Sequence, residues 1–307
     1  MSNSIGKENV NLKQGFAKIS KDFVELCDKA LDDKFAEATK ILAQEKNSRI
    51  IGLTGPTCSG KTTAAKKLTT DFSKIGKRIH PVSLDDFYRD HFSRKALEEL
   101  DASKIDFDSP DTLDTEEFER FINEIFSKGR AKKPIFDFAE GKRTASEEII
   151  LGENDVLLFE GIQVLYPSVS SVIEGNGGLV LYVYPSSTIE LNGERFEPDF
   201  IRLCRRLVRD SNFRAAAPEF TFSVWEGVRK NEIENIFPHL HLCDVEIDTT
   251  LAYELNILAP YLRELLGRMT ENDEHYAQSK KILEMFEGIE GIDKSVISPT
   301  SLYNEFV

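Results

Sequence analysis

Gly55-Pro56-Thr57-Cys58-Ser59-Gly60-Lys61-Thr62 places glycine, lysine and threonine at the spacing G-x-x-x-x-G-K-[ST]. Those residue types suit the phosphates of a nucleotide. The glycines let the backbone curl so that successive N–H groups point inward as an anion nest. A helix starting near Gly60 adds the positive end of its dipole. Lys61 can reach the β- and γ-phosphates, and the Thr62 hydroxyl can ligate Mg²⁺. ATP and Mg²⁺ are therefore the expected cofactors, with Gly55 to Thr63 as the binding segment.

A phosphate donor needs an acceptor. In "VSLDDFYRD" (Val82–Asp90), Asp85 and Asp86 follow directly on an apolar run. The carboxyl end of a strand is the edge where open α/β sheets bind ligands. A carboxylate there can align an acceptor hydroxyl and take its proton, so one of the two acids is expected to be catalytic. Glu160 ends the run "VLLFE" and is a second oxygen donor for Mg²⁺, directly or through water. In "FIRLCRRLVRDSNFR", Arg202, Arg205, Arg206 and Arg209 fall at i, i+3, i+4 and i+7, one helical face. A guanidinium face in so acidic a chain suits a polyphosphate; pairing with Asp199 and Asp210 is the other reading.

These groups need rigid elements to hold them. "RIIGLTG" (Arg49–Gly55) reads as a buried strand feeding a helix over Lys61–Ile75 that stops at Gly76. "RIHPVSL" is a second strand. "DVLLFEG" (Asp155–Gly161) and "GLVLYVYPS" (Gly178–Ser186) are near-continuous apolar runs, typical of strands buried on both faces of a parallel sheet. "DVEIDTT" (Asp244–Thr250) is a fifth. "LDTEEFERFINEIFSKG" begins with a capping-box-like Asp114/Glu117 pair and buries Phe118, Phe121, Ile122 and Ile125. The alternation predicts an α/β fold of the P-loop type, a parallel sheet flanked by helices. Before it, residues 1–12 read as a loose tail. From Phe16 through Leu26, Phe35 and Leu42, apolar residues recur every three or four positions, as in an amphipathic helix or helix pair. After it, "LAYELNILAPYLRELLGRM" and "EHYAQSKKILEMFEGIE" read as two further helices.

The 307-residue chain carries a net charge of −14, which disfavours a general role on nucleic acid. Its four cysteines are scattered without a CxxC pair, which fits neither a zinc site nor a disulfide framework. His239 and His241 form one close pair, read as alternating strand or loop residues or as a metal pair. No apolar signal core and no bilayer-length run is present, so the expectation is a cytoplasmic protein without a membrane partner. A guanine reader of the N-K-x-D type is absent, which argues against a GTPase switch.

The motifs "GLTGPTCSGKTT", "SLDDFYRD", "DFDSPDTLD", "KPIFDFAEGKR", "VLLFEGI" and "RRLVRD" occur in the order seen in the uridine kinase and phosphoribulokinase family. The chain most resembles the bacterial uridine-kinase-like nucleoside kinases, over about Arg49 to Leu258. The resemblance implies that Asp85 is the catalytic aspartate, that Tyr88 lies beside the sugar and that Asp108 holds ribose hydroxyls. It implies a lid around 195–230 whose Arg206 and Arg209 close on ATP and acceptor, with Arg214 less well matched. The expected organisation is an N-terminal helical extension (1–48), a kinase domain (49–258) and a C-terminal helical segment packed on it (259–307). The base-reading positions depart from the pattern. Phe136 stands where the typical reader is tyrosine, Gly141 where it is histidine, and Val224 near the place of a glutamine. Phe136 and Phe138 can stack on a flat ring but cannot form the hydrogen bonds that identify uracil; they can equally be core.

The expected activity is ATP-dependent phosphoryl transfer, with Asp85, Lys61, Arg206 and Arg209 catalytic, Thr62 and Glu160 on the metal, and Tyr88, Asp108, Phe136, Phe138 and Arg206 on a nucleoside-like acceptor. Two rivals stand beside it: a kinase of another acceptor, such as a sugar phosphate, and a regulatory module that binds nucleotide without transfer. The N-terminal stripe leaves a homo-oligomer open.

Overall fold

A computed structural model describes residues 3–5, 10–11, 19–44, 48–90, 110–138, 140–191 and 193–307. Asp108 and Phe16 lie outside the described residues. The strands, in chain order, are β1 (Asn3–Ile5), β2 (Val10–Asn11), β3 (Ile50–Thr54), β4 (Ile79–Ser83), β5 (Arg130–Asp137), β6 (Lys142–Ile150), β7 (Val156–Glu160), β8 (Leu179–Tyr184), β9 (Ile189–Leu191), β10 (Glu194–Phe196) and β11 (Val245–Asp248). The helices are α1 (Lys21–Gln44), α2 (Lys61–Lys74), α3 (Thr115–Lys128), α4 (Pro167–Gly175), α5 (Pro198–Arg214), α6 (Pro218–Asn231), α7 (Glu254–Leu266) and α8 (Tyr276–Met285).

The five strands read from the sequence pair in parallel with each other and with β1, in the order β1-β11-β8-β3-β7-β4. Parallel neighbours need crossover connections, and the helices supply them while covering both faces. Alternate residues of one strand therefore enter different cores. Leu53, Leu158, Leu181 and Ile247 face the side of α1, α2, α5 and α7. Ile50, Phe159, Val180 and Tyr182 face the side of α3 and α4. In α3 the predicted face is buried, Asp114 accepts from the Glu117 amide at 3.1 Å, and Gly129 ends the helix.

The structure corrects one local reading, decides another and adds elements that the sequence did not announce. Part of the N-terminal stretch read as a loose tail is β1, a sixth strand added at the sheet edge beside β11; three residues are too few for a period to register. The N-terminal stripe is one helix, α1, not a pair. Its buried positions Val24, Asp28, Leu31, Phe35, Ala38 and Leu42 alternate spacings of four and three, and Leu26, off that line, is 63% exposed. β5 and β6 form an antiparallel hairpin that no alternation announced, because Thr144 to Glu148 of β6 are exposed in unbroken succession. Gly141 lies in its turn at φ 64, so a turn requirement accounts for glycine where the resembling family has histidine. A small sheet, β10-β9-β2, completes the strands. No described helix is long and apolar enough to cross a membrane.

Candidate active site

The loop between β3 and α2 is cramped from both sides. A Cβ on Gly55 would stand 2.1 Å from the Val183 carbonyl oxygen of β8, so only a bare Cα passes there. Gly60 takes φ 98, the left-handed conformation that glycine tolerates best. α2 then starts at Lys61, and the N–H groups of its first turn have no carbonyl partner within the helix. Lys61 folds back over this turn, donating from Nζ to the carbonyls of Gly55 at 2.9 Å and Pro56 at 3.2 Å. Burial pushes its ammonium below the ordinary value, against the opposing pull of Glu160, Cys58, Glu305 and Asp85.

The neighbouring strands end level with the loop. Ser83 of β4 and Leu53 of β3 both pair in register with Glu160, the last residue of β7. Beyond Ser83 the chain makes a short 3₁₀ turn, Leu84–Phe87, in which the Asp85 amide bonds back to Ser83 Oγ at 3.3 Å. This turn separates the two acids. Asp86 is held by Lys133 of the hairpin at 2.7 Å and accepts from the Phe136 amide at 3.2 Å. Asp85 instead lines a cavity of about 610 Å³ together with Lys61, Thr62, Glu160, Arg206 and Arg209. Burial raises the Glu160 carboxyl; Lys61 lowers it, while Glu305 and Asp85, as like charges, raise it further.

Gln163 was not anticipated. It is 2% exposed, and its Nε2 donates to Asp85 Oδ1 at 2.8 Å and to the Tyr88 hydroxyl at 2.9 Å. A carboxylate accepts only, which fixes the amide with its nitrogen toward Asp85. Its Oε1 is buried without a hydrogen-bond partner, against Gly161, where a Cβ would come within 2.2 Å. The sequence held a signal: a polar residue inside "GIQVLY", three positions past Glu160. Tyr88 packs edge-on against Phe136 and Phe138, at 5.6 and 6.0 Å between ring centroids. Phe138 is 59% exposed and lines the cavity; Phe136, 7% exposed, lies behind it.

The arginine face divides. Arg206 and Arg209 line the cavity and are gathered by buried Asp210 at 3.2 and 2.7 Å, with Arg214 at 3.6 Å. Arg202 and Arg205 are buried instead. Arg202 forms a two-pronged pair with Glu232, at 2.6 and 2.7 Å, and its NH1 reaches the Thr57 carbonyl at 3.4 Å. Arg205 pairs with Glu254 and donates to the Cys58 and Thr249 carbonyls at 3.2 and 3.0 Å. Burial works against its charge, but Glu254 and Tyr303 more than reverse this and hold Arg205 above the ordinary arginine value. These two arginines grip the phosphate loop from behind. Their acids lie 30 and 49 residues away in sequence, so spacing alone could not separate them from Arg206 and Arg209.

Among the described residues no group of three or more His, Cys, Asp or Glu is arranged to hold a metal ion, and His239 and His241 stand 6.4 Å apart between ring centroids. Thr62 and Glu160 remain as two hard oxygen donors on one cavity wall. That donor set, with crowded carboxylates that a cation would relieve, fits Mg²⁺ completed by phosphate oxygens and water.

The family model described as Phosphoribulokinase / Uridine kinase family matches residues 50–254. A uridine kinase of Clostridium tetani is 28% identical over 203 residues, covering 66% of this chain and 87% of that protein. Uridine-cytidine kinase B of Dictyostelium discoideum is 34% identical over 124 residues, 40% of this chain and 49% of that one. A solved structure described as a possible uridine kinase from Bacillus stearothermophilus superposes with TM-score 0.45 at 15% identity, over 71% of this chain and 99% of that one. The matched segment runs from the start of β3 to the start of α7 and so takes in the loop, both acid-bearing strand ends and the arginine helix. The chain belongs to the phosphoribulokinase and uridine kinase family, P-loop kinases that act on the hydroxyl group of a small molecule.

Proposed function

We propose that this chain transfers the γ-phosphoryl group of ATP to a hydroxyl of a small acceptor, with the 5′-hydroxyl of a ribonucleoside as the leading acceptor class. The observation that carries the reading is that Asp85 and Lys61 line one cavity, with Asp85 held by Gln163. The loop amides and Lys61 bind the β- and γ-phosphates. Asp85 accepts the hydroxyl proton as the acceptor oxygen bonds to the γ-phosphorus, and the bond to the β–γ bridging oxygen breaks to leave ADP. Arg206 and Arg209 offset the charge spreading over the transferred group. Thr62 and Glu160 would hold Mg²⁺, which when bound would neutralise charge on the phosphates. Tyr88 and Phe138 form an aromatic wall for the acceptor, with Phe136 supporting them from behind. Asp108 is assigned to the ribose hydroxyls on its place in the family motif.

Gln163 is a positioning residue in this scheme. Gln163→Leu keeps the side-chain bulk but releases both Asp85 and Tyr88. We expect kcat to fall by about tenfold, with the nucleotide Kd little changed, since one buried hydrogen bond to a charged group is lost. Gln163→Asn, with the same amide on a shorter stem, recovers part of the loss; equal losses in both would favour a packing role.

The acceptor class is tested by ADP formation from Mg-ATP with uridine, cytidine, other nucleosides and sugar phosphates. Because Phe136 and Phe138 offer a base no hydrogen bonds, rates on uridine and cytidine should be similar. Sharp preference for uridine would contradict this account of Phe136 and Gly141. Turnover confined to sugar phosphates would favour the rival acceptor.

A further inference from the structure

The carboxylate of Glu305 accepts a hydrogen bond from the backbone N–H of Thr63, in the first turn of α2. That amide is among the donors a helix N-terminus offers to an anion, and it directly follows Lys61 and Thr62. Glu305 lines the cavity described above and also a second one of about 630 Å³, between α1, α2 and residues 299–305. The two cavities share Thr62, Arg209, Arg214 and Glu305. Its charge reaches Lys61, Glu160 and Arg209, three groups of the proposed phosphate site.

The segment carrying Glu305 is firmly seated. Leu302 lies over Gly60, where a Cβ would stand 2.4 Å from its Cδ1. Tyr303 donates its hydroxyl to Glu254, and the Phe306 carbonyl accepts from Asn212 at 3.0 Å. The Arg205 guanidinium stands over both the Tyr303 and Phe306 rings, at 5.6 and 5.4 Å. Leu302, Tyr303 and Phe306 are fully buried, whereas Glu305 is half-exposed. Residues 301–307 all lie outside the segment that the family model matches.

We propose that Glu305 is an internal competitor for nucleotide: its carboxylate occupies the Thr63 amide until an arriving phosphate displaces it into the second cavity. The proposal rests on reading the loop as a nucleotide cradle. The neighbours of Glu305 are anchored, so displacement is a side-chain rotation and the segment itself stays in place. Lys66 and Arg214 line the second cavity and give the displaced carboxylate cationic neighbours. Two terms oppose nucleotide binding: loss of the Thr63 bond and repulsion between Glu305 and the phosphates. By linkage, whatever draws Glu305 away tightens nucleotide binding by the same factor.

Glu305→Gln keeps the shape and an oxygen for the Thr63 N–H but removes the charge; Glu305→Ala removes both. Binding of MgADP and of inorganic tripolyphosphate to the full chain is measured by titration calorimetry. We expect both probes to bind roughly tenfold tighter in each variant, because a charge at a helix N-terminus is lost to the competitor and not to the ligand. Tripolyphosphate should gain as much as MgADP, since the competition concerns phosphate alone. Unchanged or weaker binding in either variant, with the unfolding midpoint of the free protein retained, overturns the inference and leaves the kinase reading standing. Failure of MgADP to bind wild type and both variants overturns the nucleotide reading and the inference together.

Discussion

Asp85→Asn lowers kcat by about 10²–10⁴-fold, the usual contribution of a positioned general base. The amide keeps the size of the carboxylate and can still accept from Gln163, so the cavity wall stays in place. What disappears is the capacity to take the acceptor's proton, an effect confined to the transition state. Binding of MgADP should therefore be nearly unchanged. The control is Asp86→Asn: that acid holds Lys133 and the Phe136 amide, so its loss should weaken stability and leave most of kcat. If the two variants changed places, with Asp86 essential and Asp85 dispensable, the assignment of the base would be wrong.

Arg205→Met destabilises the protein by about 3–5 kcal/mol, the cost of leaving one partner of a buried ion pair uncompensated. Arg205 and Glu254 both have fully buried side chains, and the guanidinium also carries the Cys58 and Thr249 carbonyls. Urea unfolding followed by circular dichroism reads the loss as a lower midpoint. Adding Glu254→Gln to Arg205→Met should recover part of it, because the stranded charge is removed. Arg206→Met, whose side chain is 12% exposed and faces the cavity, should lose much less stability and far more activity. Equal destabilisation at both positions would contradict the division of the arginine face.

Much of the scaffold was legible in the amino-acid sequence because burial on two faces leaves a plain record. The runs at Ile50, Val156 and Leu179 are apolar but for a polar last residue in the first two, and each is a sheet strand. The loop was legible because only glycine passes beneath Val183 and only glycine readily takes φ 98 at position 60. The hairpin Arg130–Ile150 left a weak record, since its second strand exposes Thr144 to Glu148 in succession, on both faces, and so shows no alternation. Helical spacing placed four arginines on one side of α5 but carried no information about Glu232 and Glu254, which decide which of them are buried. Glu305 was invisible for a similar reason. "SLYNEFV" is too short for any period, and its target, the Thr63 amide, lies 242 residues away. The choice between Asp85 and Asp86 likewise depends on Lys133, which belongs to the hairpin.

The account depends on one transfer spanning the loop and Asp85, and the fate of the γ-phosphate tests it most directly. The protein is incubated with Mg²⁺, γ-labelled ATP and a nucleoside, and the products are followed by phosphorus NMR. The account predicts label on the acceptor hydroxyl in equal amount to the ADP formed, with no ADP when the acceptor is omitted. Label released only as inorganic phosphate, or ATP bound and left intact beside every acceptor, would contradict it.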